Sequence, residues 1–120
     1  MRERRKILVV DDSAVVRSSA RWALEGAGYD VAVLESPFAF SQALATEKPD
    51  LVLMDVSMPG LRGDALLQIG RRYGAYRCPI VLFSSQPSSE LSALVSSLGL
   101  AGFIPKDLNV LLTEVGKYLP

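Results

Sequence analysis

Histidine is absent from these 120 residues. A serine–histidine triad is therefore excluded, and any phosphohistidine chemistry has to come from another molecule. Cysteine occurs once, at Cys78, so the chain has neither an internal disulfide nor a cysteine-rich zinc site. Cys78 stands just before Pro79 and an apolar run, which reads as a buried structural thiol. Net charge is missing too, because 13 basic residues balance 13 acidic ones. That balance gives no support to a nucleic-acid or membrane-surface role. No apolar run approaches the roughly 20 residues of a membrane span. The Arg-rich start, residues 1–5, reads as a solvated tail and lacks the apolar stretch of a signal peptide. A soluble, cytoplasmic protein is expected. There is no Gly-rich run before a Lys-Ser or Lys-Thr pair, and no GxGxxG follows the first apolar run, so P-loop and dinucleotide sites are excluded.

What is present points to a folded core. Hydrophobic residues make up 49% of the chain and charged ones only 22%, a balance that disfavours disorder. The length fits one domain, 1–120. Leu51-Val52-Leu53-Met54 runs straight into Asp55. Such a short apolar run reads as a strand buried on both faces. Lys6-Ile7-Leu8-Val9-Val10 repeats the pattern and ends in Asp11-Asp12. Further strands are expected at 30–34, at 79–83 before Ser84-Ser85, and at 101–104 before Pro105-Lys106.

Helical signals alternate with these strands. Ser13 can cap a helix over 14–27, where Val16, Ala20, Ala23, Leu24 and Ala27 form one apolar face. Arg17, Arg21 and Glu25 fall on the other side, and Gly28 stops the helix. Ser36-Pro37 starts a second helix, with Phe38, Phe40, Ala43 and Leu44 as apolar contacts, ending before Pro49. Others are expected at 61–73, at 88–98 before Gly99, and from a cap at Asp107 to about Leu119. Five alternations imply an α/β fold with a doubly wound, five-stranded parallel sheet and right-handed crossovers. The strand order 2-1-3-4-5 fits the length, with its switch point between strands one and three.

Those are the strands that end in Asp. In a parallel sheet all carboxyl ends face one way, so one site gathers Asp11, Asp12, Asp55, Ser84 and Lys106. Three carboxylates together repel one another, and a lysine and a hard divalent cation relieve that repulsion. All-oxygen ligands in small number suit Mg²⁺, while Ser84 and Lys106 suit anionic oxygens. The site so described binds a phosphoryl group beside a metal, with Asp55 as acceptor and Asp11 and Asp12 as metal ligands.

These residues resemble the response-regulator receiver domains of two-component signalling, flavodoxin-like and of the chemotaxis-receiver type. The resemblance spans essentially the whole chain. It rests on Asp11-Asp12, on Asp55 within Met54-Asp55-Val56-Ser57-Met58-Pro59-Gly60, on Gly63, Ser84-Ser85 and Lys106. It implies that Asp55 accepts a phosphoryl group from a phosphohistidine on a histidine kinase or phosphotransfer protein. Asp12, Asp55 and the backbone carbonyl of Ser57 would bind Mg²⁺ directly, and Asp11 mainly through water. Lys106 would pair with the phosphate and Ser84 would hydrogen-bond it. Phe103 stands at the aromatic switch position, and Ser57 and Gln86 flank the path of attacking water in autodephosphorylation. A downstream effector or second receiver would use the face 88–119. The chain would be a free-standing receiver or the front of a longer regulator.

Two departures stand out. Ser84 stands where the family often has Thr. Asp107 follows Lys106 where the family often has a cis proline; a non-proline cis bond costs about 3–4 kcal/mol, so a trans bond is expected. Two other functions compete. Aspartyl-phosphate hydrolases also use an Asp, a hydroxyl and a lysine, but place the nucleophile after the first strand with a second acid two residues on. Here the acids are adjacent. A pure interaction module would require all five polar strand ends to be coincidental caps.

Overall fold

The computed structural model describes residues 4–57, 68 and 78–120. Apart from residue 68, which is helical, the helix expected at 61–73 lies outside the described residues, as do the turn and glycine at Pro59-Gly60 and Gly63 and residues 1–3 of the N-terminal tail.

Five strands form one parallel sheet: β1 (Lys6–Val10), β2 (Asp30–Leu34), β3 (Leu51–Met54), β4 (Ile80–Ser84) and β5 (Gly102–Pro105). Their spatial order is β2-β1-β3-β4-β5, the order expected from the alternation of elements together with the chain length. Ile7 registers with Val31 on one side and Leu51 on the other. Successive strand side chains point to opposite faces, so each strand feeds two cores. Ile7, Val9, Leu51, Leu53, Val81 and Phe83 pack on one face against Ala20, Leu24, Leu111 and Val115. Leu8, Val10, Val52, Met54 and Leu82 pack on the other against Phe40, Leu44, Leu91 and Leu98. The first group of helical residues comes from α1 (Ala14–Gly26) and α4 (Leu108–Tyr118). The second comes from α2 (Phe40–Glu47) and α3 (Ser88–Leu98). Burial on both faces is why β3 is apolar throughout and β4 is apolar up to Ser84.

Helix boundaries follow the expected chemistry, with four differences. Ser13 accepts from the Val16 N–H at the start of α1, and Asp107 accepts from the Asn109 N–H at the start of α4. Gly28, at φ 98°, carries the chain out of α1 in a conformation that suits glycine. Ala27 is exposed at the cap instead of joining the apolar face. Ser36 and Pro37 open a 3₁₀ turn, Pro37–Ala39, before α2 begins at Phe40. That tight turn directs Phe38 outward, 83% exposed, so it makes no core contact. Strands β4 and β5 each lie one residue later than expected, and α4 ends at Tyr118. No peptide bond among the described residues is cis, so Lys106–Asp107 is trans.

Candidate functional site

Backbone hydrogen bonds tie the carboxyl ends of the strands side by side. The Asp11 N–H donates to Leu34 O at 3.0 Å, the Asp55 N–H to Val10 O at 2.9 Å, and the Lys106 N–H to Ser84 O at 3.0 Å. The five residues expected at the site therefore sit on one rim, each just past or at the end of a strand.

Asp11 and Asp55 are buried, at 0% and 3% exposure, and Asp12 is exposed. One oxygen from each of these three carboxylates lies within 4.8 Å of the other two. Lys106 Nζ reaches into the group, 2.8 Å from Asp11 Oδ2 and 3.2 Å from Asp55 Oδ1. Burial alone would depress the Lys106 ammonium, but the bonds and charges of Asp11 and Asp55 outweigh it and hold its pKa above the usual value. The Phe83 ring lies below, its centroid 5.9 Å from Nζ, so the ammonium rests on an aromatic face.

Asp11 Oδ1 accepts the Ser13 N–H at 2.9 Å. Asp11 Oδ2 is enclosed, and its one partner among the described residues is the Lys106 ammonium at 2.8 Å. A buried carboxylate oxygen served only by a shared ammonium is under-satisfied. The cluster holds three acids to one lysine, all hard oxygen donors. That donor set fits a divalent cation such as Mg²⁺.

Asp55 Oδ1 also accepts the Ser57 N–H at 3.2 Å. Ser84 is buried, and its Oγ accepts the Gln86 N–H at 3.1 Å, which leaves the hydroxyl proton for another acceptor. These two local turns bring their tips together, with Gln86 Nε2 donating to Ser57 Oγ at 3.5 Å. The two residues named for tuning thus meet across the mouth of the site. Phe103 is half-buried and lies away from the carboxylates, lining a groove of about 580 Å³ with Val95, Val110, Glu114 and Tyr118.

One polar residue at the rim escaped the sequence reading, which put Arg17 on the outer side of α1. Arg17 is half-buried, and its Nη1 donates to the Asp11 backbone carbonyl at 2.8 Å. Its Nη2 lies 3.8 Å from Glu35 Oε2. The available signal was direction: helical side chains lean toward the N-terminus, and Arg17 stands one turn past the cap.

Comparison with known proteins agrees with this geometry. Residues 7–114 match the response regulator receiver domain family. The CAI-1 autoinducer sensor kinase/phosphatase CqsS of Vibrio cholerae serotype O1 is 34% identical over 122 residues, covering 98% of this chain and 18% of that protein. The DNA-binding transcriptional regulator NtrC of Escherichia coli K12 is 35% identical over 107 residues, covering 87% of this chain and 22% of that protein. The chain therefore spans about a fifth of the length of these relatives. Among solved structures, the BeF3-activated N-terminal receiver domain of Klebsiella pneumoniae RstA superposes with a TM-score of 0.83 at 31% identity, covering 96% of this chain and 98% of that one. The chemotaxis protein CheY4 of Vibrio cholerae shares the fold, with a TM-score of 0.82 at 23% identity over 96% and 98% of the two chains. On the match over residues 7–114 and these relatives, the chain belongs to the response regulator receiver family of signalling domains.

Proposed function

We propose that residues 1–120 form one phosphoacceptor domain, in which Asp55 takes a phosphoryl group from a phosphohistidine on a histidine kinase or phosphotransfer protein. The observation that carries this reading is the pairing of Asp55 with Lys106 at 3.2 Å inside a group of three carboxylates. Asp55 Oδ1 is held by the Ser57 N–H and Lys106, so Oδ2 is the oxygen that attacks phosphorus. The P–O bond forms as the P–N bond to the donor histidine breaks, and the imidazole leaves with the electron pair. Lys106 then pairs with a phosphoryl oxygen, and the Ser84 hydroxyl donates to another.

Asp12, Asp55 and the Ser57 carbonyl would hold Mg²⁺, with Asp11 contributing mainly through water. Bound there, Mg²⁺ would offset the charge of the carboxylates and the phosphoryl oxygens. The ordinary lysine value of 10.5 already lies far above neutral and the acids raise it further, so Lys106 serves as a permanent counter-ion. No helix among the described residues is long and apolar enough to cross a membrane, which is compatible with work in the cytoplasm beside a kinase.

The test is mass spectrometry after incubation with acetyl phosphate and Mg²⁺. The parent chain gains one phosphoryl mass and Asp55→Asn gains none. Retention of the added mass in Asp55→Asn would remove Asp55 from the role.

A further inference from the structure

We propose that Arg17 is a positioning residue for Asp12, acting through the peptide plane that joins the two adjacent acids. The proposal rests on reading the carboxylate cluster as a Mg²⁺ site. The Asp11 carbonyl and the Asp12 N–H belong to one rigid peptide plane. Arg17 Nη1 grips that carbonyl at 2.8 Å, and so fixes the orientation in which the chain enters Asp12.

Every other polar group of Asp11 is already committed. Its N–H goes to Leu34 O, its Oδ1 to the Ser13 N–H and its Oδ2 to Lys106. Asp12, by contrast, is exposed and joins the cluster from the solvent side. Its approach therefore depends on the backbone that carries it, and Arg17 is the side chain that holds that backbone. Glu35 stands at the other edge of the guanidinium, 3.8 Å from Nη2. The planar guanidinium holds its donor to the carbonyl in a fixed direction, which a lysine ammonium on a flexible stem does not.

Charge and position make opposite demands here. A guanidinium bonded to the backbone of the acid pair opposes a second cation beside it, so removing it for its charge alone would tighten Mg²⁺ binding. Removing a positioning residue weakens binding, and orienting partners of metal ligands typically matter about 10–100-fold.

The experiment is an Mg²⁺ titration followed by amide chemical shifts, on the parent chain, Arg17→Gln and Arg17→Lys, with thermal unfolding of each. Arg17→Gln should raise the Kd about tenfold or more, and Arg17→Lys should fall between it and the parent. Binding as tight as the parent's, or tighter, in a folded Arg17→Gln overturns the proposal. Should Arg17→Gln fail to fold, Arg17→Lys decides: a weakened Kd upholds the positioning role and an unchanged one overturns it. Absence of Mg²⁺ binding by the parent chain would overturn the metal reading itself and this inference with it, an outcome distinct from parent-like binding in the variants.

Discussion

Cys78 shows how a single side chain ties this fold to pH. It is 3% exposed, and burial, with the Asp50 charge second, pushes its thiol from 9.0 up to about 12. A folded-state pKa raised above the unfolded value adds stability that is fully present below pH 9.0 and is lost as pH climbs toward about 12. Lys106 and Tyr118 are raised as well, from 10.5 and 10.0, so their losses begin at higher pH. Urea midpoints taken from pH 8 to pH 10 should therefore fall with a slope that Cys78→Ala largely removes; equal slopes in the two chains would contradict the assignment. At the mouth of the site, Ser57 and Gln86 meet at 3.5 Å, where, on the proposed function, they would flank the route of water to a phosphoryl group on Asp55. Ser57 is small and leaves that route open, while Gln86 has an amide to orient water and no charge to act as a base. Ser57→Lys should lengthen the phosphate lifetime several-fold, and Gln86→Ala should change it. Decay rates identical to the parent's in both variants would leave these residues without a tuning role.

Between elements, one tight fit joins β5 to α4. A Cβ built on Gly102 would collide with the Tyr118 hydroxyl, so an alanine there would have to displace the ring. Gly102→Ala should cost about 1–3 kcal/mol as an overpacked contact, and adding Tyr118→Phe should recover part of it by removing the clashing oxygen. Chemical denaturation of the single and double variants measures both. That contact joins residues sixteen apart by chain number and has no signature in sequence, because it depends on how α4 settles on the sheet. Other features of the elements could be read directly. The apolar runs gave β1, β3 and β4 because strands buried on both faces need no polar positions, and Ser13 and Asp107 gave two helix starts because each cap satisfies an N–H at its own terminus. The Ser36-Pro37 signal was sound as a cap, yet it opened a 3₁₀ turn. A cap specifies a first turn but not whether that turn continues as α-helix, and so the outward direction of Phe38 could not be read.

At the scale of the molecule, the candidate site was legible because topology gathers it. Once the sheet is parallel, the groups that follow β1, β3, β4 and β5 share one rim, and Asp11, Asp12, Asp55, Ser84 and Lys106 meet there without further information. The Arg17 grip on Asp11 was only partly legible: the lean of helical side chains toward the N-terminus brings Arg17 near the rim, but its acceptor is a backbone carbonyl, which no residue type marks. The same topology suggests how the rim speaks to the rest of the protein. A phosphoryl group on Asp55 adds about −1.5 to −2 of charge. On the proposed reading, the Ser84 hydroxyl would reach it by moving inward with its loop, donating its proton while its oxygen accepts the Gln86 N–H. Leu82, two residues earlier on β4, registers with Phe103, and Phe103 is half-buried against a groove between α3 and α4. On that proposal, an inward shift of Ser84 would open space beside β5 into which that ring could turn. The face from 88 to 119 would then change shape, and an effector or second receiver would distinguish the two forms. Phosphorylation can shift this equilibrium only by its differential affinity for the two states, so a graded response is expected. Chemical shifts with and without beryllofluoride as a phosphoryl mimic test the route. Changes should extend from Asp55 through Ser84 to Phe103, α3 and α4; changes confined to residues touching Asp55 would break the link between the rim and that face.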